Sequence, residues 1–301
     1  MSDDENEAVD TSCCCALCGV SEIDDIKLVP CDDCDLVKYC SDECQNNHRS
    51  EHEEDCKNRV AELREELLFK QPESSHMGDC PICSLPLPID SRYIMFNCCS
   101  KRICRGCISR IVLLETEASP CPFCRTPGAK TKEEVEKRRM KRVEANCPVA
   151  LCIQGVKEYD DGDFDKAFEY LSEAAEMGNS EAHSRLADMY HDGEGVEQNE
   201  GKKIHHLEEA AIGGHPIARH NLGKLECDNN DLDRAVKHWI IAATQGHDVS
   251  LKALMRVFKM GYVEKEVLAA ALRAHKAAVD ATKSPQREFE ERVSSGKLLT
   301  G

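Results

Sequence analysis

Residues 15–56 read CALCGVSEIDDIKLVPCDDCDLVKYCSDECQNNHRSEHEEDC, and this stretch decides how the N-terminal part of the chain folds. It carries eight metal-ligand residues in four pairs: Cys15-x2-Cys18, Cys31-x2-Cys34, Cys40-x3-Cys44 and His52-x3-Cys56. A Cys-x-x-Cys pair closes a small knuckle in which both sulfurs reach one ion, so four pairs suffice for two tetrahedral sites. Soft thiolates with one imidazole select zinc over magnesium or calcium. A block this short cannot bury enough apolar surface to fold unaided, whereas a structural zinc site supplies on the order of 10 kcal/mol. No ligand position is left for water, which argues against a catalytic metal.

The same arithmetic returns downstream. Cys80-Pro-Ile-Cys83, Cys104-Arg-Gly-Cys107 and Cys121-Pro-Phe-Cys124 are three further pairs, with Cys98-Cys99 between the first two. Eight sulfurs again suffice for two zinc ions, up to four in the chain. Seventeen of the 20 cysteines lie between Cys13 and Cys124; Cys147, Cys152 and Cys227 are scattered beyond. Cys13 and Cys14 read as spare thiols, with Cys14 able to compete with Cys15, and Cys152 and Cys227 read as small core residues. The opening MSDDENEAVD is acidic and polar, unlike a secretory or transit segment. The expectation is therefore a reducing compartment, cytoplasmic or nuclear and not secreted, with metal sites rather than disulfides.

Residues 146–283 are Ala- and Leu-rich and repetitive. Ala175, Ala211 and Ala243 each close an Ala-Ala pair and stand 36 and then 32 residues apart, a period that signals stacked helical hairpins. Leu232, Ala235, Val236, Trp239, Ile240 and Ala243 follow i, i+3, i+4, i+7, i+8, i+11 spacing, as do Phe164, Ala167, Phe168, Leu171 and Ala175 in shorter form. Gly178, Gly214 and Gly246 follow three residues after each pair, placed to end a helix in the left-handed conformation. A fourth, degenerate unit starts near Asp248, as a capping repeat does. His183, His205, His206, His215, His220 and His238 read as packing or solvated residues rather than ligands.

The formal charge is −17, which argues against a nucleic-acid binder, whose affinity comes mostly from Lys and Arg neutralising phosphates. It is unevenly spread: residues 13–56 have 3 bases and 12 acids, and residues 80–125 have 6 bases and 3 acids, so the two Cys-rich blocks present opposite signs to partners. No apolar run approaches the ~20 residues that span a bilayer. There is no Gly-rich phosphate loop and no nucleophile elbow.

The run Tyr39-Cys40-Ser41-Asp42-Glu43-Cys44-Gln45, completed by His52 and Cys56, resembles the MYND-type zinc finger. The resemblance implies interleaved pairs: Cys15, Cys18, Cys40 and Cys44 on one zinc, and Cys31, Cys34, His52 and Cys56 on the other. It also implies peptide-binding to partner proteins. The second block resembles a RING-type finger, which implies Cys80, Cys83, Cys104 and Cys107 on one zinc and Cys98, Cys99, Cys121 and Cys124 on the other. Lys101 stands where that family usually has a histidine, so either both adjacent cysteines ligate or the second site is incomplete. RING fingers hold a ubiquitin-conjugating enzyme; the resemblance places its contacts at Ile82, Pro122, Ile108 or Ile111, and Arg125. The helical units resemble Sel1-like repeats, best in Ala182, Leu186, Ala187, Met189, Tyr190, Gly193-Glu-Gly195-Val196 and Ala210-Ala211.

The expected fold is two small zinc-stabilised α+β modules followed by an all-α solenoid. The segments are an acidic disordered tail (1–12), a MYND-type finger (13–56), a helix and linker (57–79), a RING-like finger (80–125), a charged helical linker (126–145), Sel1-like repeats (146–283) and a tail (284–301). The expected function is recruitment of protein or peptide partners, with no nucleic acid and no membrane. In its sharper form the chain is a RING-type ubiquitin ligase with MYND and Sel1-like docking modules; in its blander form it is a non-enzymatic scaffold.

Overall fold

The computed structural model describes residues 14–23, 26–89, 92–114 and 120–295, with the backbone alone for 112–114. The expected acidic tail and Cys13 lie outside the described residues. Backbone contacts group the chain into two units, Met1–Lys70 and Gln71–Gly301.

In the first unit β1 (Val29–Pro30) pairs antiparallel with β2 (Lys38–Tyr39). Helix α1 (Asp42–Phe69) follows. The core is mostly sulfur: Cys15, Cys31 and Cys34 with Leu28 and Tyr39. The expectation of a separate helix within 57–79 is corrected, because α1 runs unbroken for 28 residues from the Ser41 cap. No Gly or Pro interrupts it, and pairs such as Lys57–Glu53 and Arg59–Glu62 link its turns. Only His52 and Leu68 of α1 are buried, so packing does not divide it either.

In the second unit β3 (Tyr93–Phe96) and β4 (Lys101–Cys104) pair antiparallel, with Tyr93 opposite Cys104 and Phe96 opposite Lys101. Helix α2 (Arg105–Leu114) follows directly. The core of this finger is Met77, Cys80, Leu87, Ile103, Cys104 and Cys107, with Tyr93, Phe96, Ile108, Ile111 and Phe123 packed against it. Helix α3 (Lys132–Glu144) leads into hairpins α4 (Pro148–Asp160) with α5 (Phe164–Glu176), α6 (Ser180–Asp192) with α7 (Glu200–Ile212), and α8 (Pro216–Asp228) with α9 (Leu232–Thr244). The degenerate fourth unit is α10 (Asp248–Lys259) and α11 (Lys265–Ala281), both packed on α9.

Local chemistry sets these boundaries. Asp163, Asn179, Asn199 and Asp231 cap their helices through side-chain oxygens. Gly178, Gly214 and Gly246 take φ of 77°, 80° and 90°, the left-handed conformation their position requires. Cys152 is buried as expected, but Cys227 is exposed in the last turn of α8; the reading of it as a core residue is corrected. Residues 285–294, read as part of a tail, form helix α12 (Pro285–Ser294), which is capped by Ser284 and packs on α2.

Successive first helices carry Gly155, Ala187 and Gly223 at equivalent places, and successive second helices Leu171, Leu207 and Trp239. A Cβ on Gly223 would lie 2.5 Å from Trp239 Nε1, and one on Gly155 2.7 Å from Leu171 Cγ. The largest partner, tryptophan, thus meets the smallest residue. Overpacking costs about 1–3 kcal/mol, more than the ~1 kcal/mol that alanine gains over glycine in a helix. Gly223→Ala is therefore expected to lower the thermal midpoint of the solenoid, read by Trp239 emission, whereas Gly201→Ala, whose Cβ meets only Asn199 Oδ1 at 3.5 Å, does not lower it.

Candidate metal centres

The structure brings the cysteines of both fingers into four tetrads: Cys15, Cys18, Cys40 and Cys44; Cys31, Cys34, His52 and Cys56; Cys80, Cys83, Cys104 and Cys107; Cys98, Cys99, Cys121 and Cys124. Each tetrad interleaves pairs distant in sequence. Backbone geometry aims them. In four knuckles the residue after the second cysteine is left-handed (Gly19, Asp35, Ser84 and Arg125). Its N–H returns to the carbonyl of the first cysteine, at 2.9, 3.3, 2.8 and 2.9 Å respectively. In α1, His52 and Cys56 lie one turn apart, so one helical face delivers both.

Sulfur spacing identifies what the tetrads suit. A tetrahedral ion with Zn–S bonds of about 2.3 Å has S···S edges of about 3.8 Å. The separations are 3.5 Å for Cys18–Cys40, 3.6 Å for Cys40–Cys44, 3.9 Å for Cys31–Cys56, 3.9 Å for Cys83–Cys104, 3.7 Å for Cys99–Cys121 and 3.4 Å for Cys124–Cys98. Disulfides, at about 2.05 Å, are far shorter. His52 Nε2 lies 3.1 Å from Cys34 Sγ, while His48 instead meets Tyr39 Oη at 3.0 Å. Cys14 lies outside the tetrads.

The thiols are electrostatically mismatched without a cation. Burial pushes Cys15 and Cys80 up, but backbone N–H donors, from Cys18 and Cys40 for the first and Cys104 and Cys83 for the second, bring each down to about 6. Their neighbours move the other way. Cys40 rises to about 12, mainly through its contacts with Cys18 and Cys44, and Cys56 rises to about 12 through burial and then Cys34 and Cys31. Four thiolates cannot share one pocket unless an ion offsets their charge, and a thiolate set selects zinc-like ions.

The adjacent pair Cys98–Cys99 is explained by its turn. Ser100 is left-handed and its N–H reaches Phe96 O at 2.7 Å, so Phe96 occupies the place of a knuckle's first cysteine and Cys99 that of its second. Cys98, inside the loop, supplies the missing sulfur. Lys101 faces elsewhere, its Nζ 4.9 Å from the centre of the Phe123 ring. Among the partner-contact candidates, Ile82 is 44% exposed, and Pro122 and Arg125 are exposed. Ile108 and Ile111 pack partly into the finger's own core.

A fifth grouping was not legible in the sequence: His76, Glu181 and His215 place possible ligand atoms within 4.8 Å of one another. Hydrogen bonding decides its character. His215 caps α8 by accepting the Ala218 N–H at Nδ1, 3.1 Å away. The proton of the neutral ring therefore sits on Nε2 and is given to Glu181 Oε2 at 3.0 Å. An ion at Nε2 would require both ring nitrogens to be bare, so the group is a hydrogen-bonded clasp. It ties the segment before the second finger to the repeats, with the His76 N–H donated to Gly214 O at 3.1 Å. Burial, and then His215, hold His76 neutral far below the ordinary imidazole range. Of the other repeat histidines, His183 and His206 meet at 2.9 Å, His220 meets Ser250 Oγ at 3.0 Å, His238 is fully buried and His205 is exposed.

Comparison with known families agrees with this geometry. Residues 15–56 match the MYND finger, and residues 154–179, 180–215 and 218–247 match the Sel1 repeat. Both are protein–protein interaction modules, and the MYND finger is a zinc-binding one. Comparison with curated proteins returns no match. Among solved structures, a Sel1 repeat protein from Oxalobacter formigenes is 22% identical over 54% of this chain and 49% of its own, with a TM-score of 0.44. The protein c5321, a protective antigen present in uropathogenic Escherichia coli strains displaying an SLR fold, is 19% identical over 55% and 36%, with a TM-score of 0.39. The chain thus spans about half or less of these proteins' lengths.

The clasp carries a stability prediction. The His215 hydrogen bond holds the Glu181 carboxyl far below its ordinary 4.5. A carboxyl depressed by folding stabilises above its unfolded value, and that contribution is lost as pH falls below it. Glu181→Ala is expected to cost about 1–3 kcal/mol at pH 7 by leaving buried donors unpaired. In denaturant titrations followed by Trp239, the gap between the two chains narrows as pH drops below 4.5.

Proposed function

We propose that the chain is a zinc-built adaptor whose RING-like finger docks a ubiquitin-conjugating enzyme. In this reading it acts as a ubiquitin-protein ligase, with the MYND finger and the Sel1 repeats choosing the substrate. The supporting observation is the placement of Ile82 and Pro122, exposed on knuckles that belong to different tetrads of one finger. Arg125, exposed, directly follows the last cysteine. Such a ligase does no covalent chemistry; it holds a charged enzyme in a reactive pose, so its catalysis is positioning. Each of the four tetrads holds one zinc, and a reducing compartment, cytoplasm or nucleus, keeps the thiols available.

A second reading, a scaffold without ligase activity, is favoured by one observation: α12 packs along α2 while Ile108 and Ile111 turn partly into the finger. Less of α2 is then open to an enzyme.

Auto-ubiquitination with a panel of conjugating enzymes separates the two. Wild type is expected to be active, with Ile82→Ala and Arg125→Ala each slower by roughly tenfold, as for loss of an interface anchor worth about 1–2 kcal/mol. Inactivity with every enzyme in the panel establishes the scaffold. Metal analysis by mass spectrometry is expected to give four zincs per chain, and three in either Cys98→Ser or Cys99→Ser.

A further inference from the structure

Helix α12 meets the RING-like finger at one tetrad from two sides. The Arg287 guanidinium donates to Pro86 O at 2.7 Å and Leu85 O at 3.2 Å, and to Cys83 Sγ at 3.3 Å. It also donates to Thr282 O at 2.7 Å, which anchors it to its own segment. These finger atoms form the loop that follows Cys80 and Cys83. On the other side lies the Cys104–Cys107 knuckle. A Cβ on Gly106 would stand 2.7 Å from Arg287 N and 2.8 Å from Arg287 Cα, so the start of α12 rests directly on the glycine between those ligands. An Arg92–Glu291 ion pair at 3.3 Å adds a third link.

The chemistry of this contact is specific. Four thiolates around a divalent ion leave a net charge of about −2 in a partly buried core. A guanidinium offers several N–H donors in a rigid fork and keeps its charge. Hydrogen bonds to ligating atoms fix their direction and tune how tightly the ion is held.

We propose that Arg287 is a positioning residue for the Cys80, Cys83, Cys104 and Cys107 site, donating to the Cys83 thiolate and offsetting the charge of the set, so that α12 is a working part of the RING-like finger. The inference rests on the reading of that tetrad as a metal site.

The test uses the full-length chain loaded with cadmium-113, in which each tetrad gives its own resonance, and the zinc-loaded chain challenged with a chromophoric chelator. Wild type is expected to show four resonances. In Arg287→Gln, one all-sulfur resonance moves while the other three hold, and one zinc leaves at least about tenfold faster. Arg287→Lys, which keeps the charge without the fork, gives a smaller change in both. Four resonances in wild type with none moved by either variant overturn the proposal and leave the finger reading intact. Movement of all four in Arg287→Gln also overturns it, since the residue then supports the fold at large. Two resonances in wild type overturn both the metal reading of the RING-like finger and this inference.

Discussion

Thiolate-to-metal bonding is the constraint on which the fold of residues 15–56 depends. The core of the first finger contains three cysteines alongside one leucine and one tyrosine, too little apolar surface for a stable fold. The sulfurs stand at the edge lengths of a tetrahedron, and their proton affinities are driven apart when no cation joins them. The first finger's strands are two residues long and its helix begins at the Ser41 cap, enough regularity to aim four ligand pairs. The helical repeats work by the opposite rule. They close on alanine, leucine and one tryptophan, with glycine placed where two helices come nearest.

Much of this was legible in the sequence because it is written in spacing. Ligand pairs two or three residues apart, alanine pairs at a period of 36 and 32, and a glycine after each pair are local signals with one physical reading. The helix at Leu232–Thr244 buries Ala235, Trp239 and Ala243 of its apolar stripe and packs Leu232, Val236 and Ile240 beside them, while His238, Ile241 and Ala242, outside the stripe, are buried too. The interleaving of ligands came from family resemblance, and the tetrads in the structure follow it.

What was not legible depends on distance or on degenerate signals. His76, Glu181 and His215 come from three segments and meet only once the repeats stack; nothing around His76 marks it. Cys98–Cys99 left two alternatives open, because a turn that starts at Phe96 in place of a cysteine has no sequence signature. The unbroken α1 was hidden by its polarity, since a helix that buries only His52 and Leu68 shows little periodicity. The segment after residue 284 reads as polar and charged. Its docking rests on Arg287 and on a glycine far upstream, a pairing no local pattern reveals.

That last feature bears on the order in which the molecule can be completed. Arg287 and Cys83 are 204 positions apart, and synthesis proceeds at about 5–20 residues per second. The second finger therefore emerges from the ribosome roughly 10–40 s before the helix that seats against it. During that interval its thiols are exposed to oxidants and to competing ions without their cationic neighbour. A product that stops short of residue 285 would leave the finger in that state permanently, so the arrangement ties the soundness of an early module to a segment made about 200 residues later.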